Sequence, residues 1–136
     1  MSLSLKPLYE AAVRRFQTTV DSDRFNDDFP FAVNLTLDQL GVIGNPTTPY
    51  AHVDDVEADL TDFSAEYSAI IYAGICFHIA DLGHQLRGGE KQYIEMAGAW
   101  EDAKGDYMVL LNRSDAATVD DDGDPTGDII GLGAKG

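Results

Sequence analysis

A chain of 136 residues with 44% hydrophobic side chains suits one domain with an ordinary core and leaves room for a tail. Its formal charge is -15, from 24 acidic and 9 basic residues, and 18 of the acids are Asp. Such a surface repels nucleic acid and anionic membranes rather than binding them. The Asp excess with only four lysines fits a salt-rich cytoplasm, where screening shrinks the Debye length to ~3 Å at about 1 M salt; an acidic protein of ordinary salt is the other reading.

Ser4 can cap a first helix with Pro7 in its opening turn. Leu8, Ala12, Phe16 and Val20 recur every four residues, so the predicted helix runs over Leu5–Thr19. The same stretch mixes charge with apolar residues and has no signal-peptide core. Asp21–Asp28 reads as an acidic loop. Phe31, Val33, Leu35 and Leu37 then alternate with Ala32, Asn34, Thr36 and Asp38, which predicts one short strand or extended arm. Gly41, Gly44, Asn45, Pro46 and Pro49 make a turn-rich connector.

Asp54 or Asp55 can cap a second helix. Val56, Leu60, Phe63, Tyr67, Ile70/Ile71, Gly74, His78 and Leu82 keep 4-3 spacing, predicting a helix over Asp55–Leu86 that Gly88-Gly89 ends. Within it, Ala69–Ala80 has one strongly polar side chain, His78. A helix that is apolar all round is buried all round, but this run falls short of the ~20 residues that span a bilayer. A soluble intracellular protein without membrane contact is expected. The third helix is predicted over Glu90–Asn112, with Tyr93, Met96, Trp100, Ala103 and Tyr107 toward the core. A second stripe, roughly 140° away, holds Ile94, Gly98, Glu101, Gly105 and Met108/Val109. Close approach of another helix would account for the two glycines; a weak helix on an exposed face is the alternative. The expected fold is therefore mainly α: a helical bundle with a long central hairpin over residues 1–113, and an acidic, Gly-rich flexible tail over 114–136.

No catalytic motif is present: neither Gly-x-Ser-x-Gly nor a Walker loop occurs. An EF-hand loop starting at Asp120 fails, because Pro125 and Gly131 stand where Gly and Glu are required. His78, Asp81 and His84 are ligand-type residues, yet the histidines point in different directions on a helix and a satisfied buried histidine is the better reading of His78. No metal or cofactor is expected, and lone Cys76 reads as a buried, inert thiol.

The remaining argument is assembly. Burying Tyr72, Ile75, Phe77 and Ile79 would each contribute about 1.5–3 kcal/mol; the first helix and the Phe31–Leu37 strand can cover part of this surface, but not the second stripe of the third helix as well. A homo-oligomer would cover both, through Tyr72, Ile75, Phe77, Ile79, Ile94, Gly98, Gly105 and Val109. The stretch Phe63–Arg113, with "SAIIYAGICFHIADL" then "GGEKQYIEMAGAWEDAKGDYMVLLNR", resembles the head–tail adaptor (connector) proteins of tailed viruses over about half the chain. That resemblance implies a structural virion protein that is no enzyme. It implies a ring, as a dodecamer, bound to portal and neck or tail proteins, with DNA passing through the lumen without specific binding. The tail residues Asp128, Ile129, Ile130 and Leu132 would dock on the portal, and the acidic composition would place the host among halophilic archaea. A tail-terminator or stopper ring protein stays open, as does a cellular helical binding module, such as a dimer through Ile75 and Phe77. A small metal-dependent enzyme around His78, Asp81 and His84 is a third class.

Overall fold

The computed structural model describes residues 2–16, 22–86 and 89–121. The fold is mainly α, with a two-stranded sheet at one edge. Strand β1 (Leu3–Ser4) pairs antiparallel with β2 (Asp59–Leu60), Leu3 opposite Leu60 and Ser4 opposite Asp59. Helix α1 (Lys6–Arg15) follows directly. Ser4 does not cap it: Ser4 is a strand residue, and Leu5, at the cap position, sends its N–H to the Ala58 carbonyl at 3.1 Å. The extended backbone of Phe16 ends α1, before the predicted Thr19.

Helix α2 (Asp23–Gly44) replaces both the expected acidic loop and the expected strand. Ser22 caps it, its hydroxyl accepting from the Phe25 N–H at 3.2 Å. Phe25, Phe29, Ala32/Val33, Thr36/Leu37 and Leu40 are buried, a 3-4 stripe that starts before the alternating segment. A strand would have placed Phe31, Val33, Leu35 and Leu37 on one face. Instead Val33 and Leu37, one turn apart, are buried, Phe31 is 51% exposed and Leu35 is half-buried. Thr36 satisfies its buried hydroxyl by donating to the Ala32 carbonyl at 2.9 Å. Asn45, in the left-handed region at φ 48°, closes the helix by donating to the Gly41 carbonyl.

The connector from Asn45 is clamped to α2. The Asn34 side chain donates to the Val53 carbonyl at 2.9 Å and accepts from the Val53 N–H at 2.8 Å. Asp54 and Asp55 cap no helix; Asp55 accepts from the Glu57 N–H in a turn. Leu60 and Phe63 are core residues, as their spacing implied, but they reach the core from strand and loop. After a 3₁₀ turn (Ala65–Tyr67), helix α3 spans Ser68–Asp81, far shorter than Asp55–Leu86. It ends at Gly83, φ 102°, where Gly83 N–H reaches the Ala80 carbonyl and His84 N–H the Ile79 carbonyl. This paired closure needs glycine at the left-handed position. Helix α4 (Glu90–Asp121) starts where predicted, behind Gly89, and runs on beyond Asn112.

Helix α3 is central and touches α1, α2 and α4. It is antiparallel to α2: Arg24 donates to the Leu82 carbonyl and His84 meets Asp28 at one end, while Thr36 lies against Gly74 farther along. It is antiparallel to α4 as well, with Phe77 on Tyr93, His78 against Trp100 and Tyr67 against Tyr107. Helices α2 and α4 therefore run parallel, Gln39 by Trp100 and Gly44 by Tyr107. The three helices meet at Gly74. A Cβ there would sit 2.6 Å from Thr36 Cγ2 and 2.8 Å from Trp100 Cζ3, so only glycine admits this approach.

Candidate functional site

The structure divides the expected interface residues into two groups. Ile75 and Ile79 are 0% exposed in the chain's own core. Tyr72 is half-buried beside Cys76 and Arg15, and burial pushes its phenol up. Phe77 is half-buried, stacked on Tyr93 with ring centres 5.9 Å apart. The surplus apolar surface expected around Ala69–Ala80 is thus covered from within. The physical reason is α2: eight of its side chains are buried, and they supply a wall that a short strand could not.

The second group lies on α4 and is uncovered. Ile94 is 68% exposed, and Met108 and Val109 are each 52% exposed. Gly98 and Gly105 face open space, with nothing within 4 Å of a Cβ built on either. Positions 94, 98, 101, 105 and 108/109 follow 4-3-4-3 spacing, so they form one face of α4. Each glycine weakens a helix interior by ~1 kcal/mol relative to Ala, and among the described residues no contact asks for it. Glu101, at the middle of the face, pairs with Lys104 at 2.8 Å, and the Lys104 ammonium lies 5.4 Å from the centre of the Trp100 ring. This face offers large apolar side chains at its ends and two hollows between them, the form of a surface that receives another helix.

Sequence spacing missed a second, partly uncovered face. Phe31, Leu35 and Val42 share the outer side of α2 with Asp38, and Val42 is 83% exposed. The 4-3-4 spacing of positions 31, 35, 38 and 42 carried that face, but only a helical reading of the segment reveals it.

The ligand-type residues do not converge. His84 Nε2 lies 2.6 Å from Asp28, His78 Nε2 lies 3.3 Å from Gln39 Oε1, and Asp81 accepts from the Tyr93 hydroxyl. Gln39 Oε1 also accepts from the Trp100 indole N–H at 2.9 Å. Burial holds His78 below its ordinary value, Asp81 opposing and Lys104 adding to this. Burial likewise pushes the Cys76 thiol up, which suppresses the reactive thiolate. Among the described residues, no group of three or more His, Cys, Asp or Glu could hold a metal ion. No helix among them is long and apolar enough to cross a membrane. Asp128, Ile129, Ile130 and Leu132 lie outside the described residues. No protein-family model, curated protein or solved structure matches the chain.

Proposed function

We propose that this protein is a structural subunit of a virion, a head–tail adaptor that assembles into a ring joining the portal to the neck and tail. The observation that carries the reading is the outer face of α4, where Ile94, Met108 and Val109 are exposed around the open hollows of Gly98 and Gly105. A soluble chain gains by covering such a face, and closed rings cover it without leaving a sticky edge. The resemblance of Phe63–Arg113 to viral adaptor proteins supplies the ring, the portal partner and the non-catalytic role. In that arrangement the acidic surface repels the DNA that slides through the lumen, and a halophilic host provides the salt that screens subunit repulsion.

The test is the mass of the purified protein by light scattering in molar salt, followed by pull-down of a portal protein encoded beside its gene. A ring-sized oligomer that captures portal is the expected result. A clean monomer at micromolar concentration would defeat the reading, and a two-fold dimer without portal binding would favour a cellular binding module.

A further inference from the structure

The outer faces of α2 and α4 are complementary in register, size and direction. Aligned in parallel, Phe31 meets Ile94, Leu35 meets Gly98, Asp38 meets Glu101 and Val42 meets Gly105. Twice, then, a large side chain comes level with a glycine whose surroundings are open, and the remaining apolar pair sets Phe31 beside Ile94. The seven-residue spacing of Leu35 and Val42 equals that of Gly98 and Gly105, the repeat at which one helix seats its knobs in another. We infer that the outer face of α2 is the occupant of the α4 face in the next copy of this chain, a contact that rests on the assembly proposed above and names both of its halves.

Direction argues for a second copy. Helices α2 and α4 run parallel within the chain. A rotation about an axis along the bundle therefore brings α2 of one copy beside α4 of the next in the same sense. Two different faces that pair head to tail give rings, whereas one face pairing with itself gives a dimer. Self-pairing of α4 in the antiparallel sense would set Gly98 against Gly105, hollow against hollow. At the middle of the α2–α4 contact, Asp38 faces Glu101, but each has its own partner: Asp38 is 2.7 Å from His52 Nε2 and Glu101 is 2.8 Å from Lys104. Salt should therefore tighten the contact by screening the residual repulsion.

The experiment uses the full chain in molar salt and two variants at open surface positions. Val42→Asp spoils the α2 face alone; Gly98→Gln with Gly105→Gln fills the α4 hollows alone. Each variant by itself should be a monomer with wild-type helix content. Mixed, they should form a one-to-one dimer and nothing larger, because each keeps one working face. If Val42→Asp assembles as the wild type does, the α2 assignment is overturned while the ring reading stands. If both variants are monomers and their mixture stays monomeric, the contact is not head to tail and the inference fails. If a chain ending at Asp121 loses assembly, the segment beyond it is the occupant instead. A monomeric wild type overturns the inference and the ring reading together.

Discussion

Helices α3 and α4 contrast in a way that their hydrophobicity alone does not announce. Helix α3 is the more apolar, and its Ile71, Ile75 and Ile79 are fully buried by the chain itself. Helix α4 is strongly acidic along its length, yet it carries the large uncovered apolar side chains Ile94, Met108 and Val109. What matters for association is which face lacks a neighbour within the chain, and a segment's mean hydropathy does not report that.

Several substitutions bear on this contrast, beginning with the largest effect. Trp100→Ala, on the inner face of α4, removes the ring that meets α3 at Gly74 and His78. It should destabilise the monomer by about 3–5 kcal/mol in urea unfolding. Ile94→Ala, on the outer face of the same helix, should stay within about 0.5 kcal/mol. The contrast collapses if the two behave alike.

Glycine-to-alanine exchanges sharpen it, because one chemical change is expected to have opposite signs. Gly74→Ala forces a methyl against Thr36 and Trp100 and should cost about 1–3 kcal/mol. Gly98→Ala adds a methyl in open space and should raise monomer stability by up to ~1 kcal/mol. Both are read from urea unfolding in the monomeric Val42→Asp background, where no second copy covers α4; a destabilising Gly98→Ala there would mean that the outer face is not open within the chain.

The smallest effect is titration of His78, between α3 and α4. Burial holds it below its ordinary value of 6.5, so the folded chain carries it neutral and the unfolded chain takes up the proton more readily. Its contribution is therefore whole above the ordinary histidine range and declines as pH falls through that range and below. His78→Gln should lose less Tm than wild type when the pH drops from about 7 to about 5.5. Parallel melting curves for the two proteins across that range would remove His78 from the account.

Much of the hairpin was legible in the sequence. The core residues Met96, Trp100, Ala103 and Tyr107 follow from spacing, as does the second stripe on α4, because a long amphipathic segment displays its period. Helix α2 was hidden for three local reasons. The short alternation at Phe31–Leu37 imitates a strand, Pro30 cannot donate in a helix interior, and Asp27 and Asp28 beside it read as loop. Tertiary burial of Phe25, Phe29, Val33 and Leu37 overrides these preferences. Without α2, the spacing of α3 asks for an outside neighbour and places Ile75 and Ile79 at an interface, whereas α2 lets the chain bury both itself. Spacing extends α3 too far for a related reason, since Leu60 and Phe63 keep helical spacing by coincidence while packing from strand and loop.

The two hydrogen bonds of Asn34 make the attachment of the connector depend on the chemistry of one amide. One side-chain amide both donates to and accepts from Val53, and so holds the connector as a neighbouring strand would. Asn34→Asp exchanges its donor for a second acceptor, which then faces the Val53 carbonyl with like polarity. The helices would keep their core, while the segment carrying Tyr50, His52 and Val53 kept only its other ties, among them His52 to Asp38 and the Ala51 N–H to Asp62. A change of a single atom type at Asn34, with little change in shape, thus acts on the covering loop and leaves the core of the bundle alone.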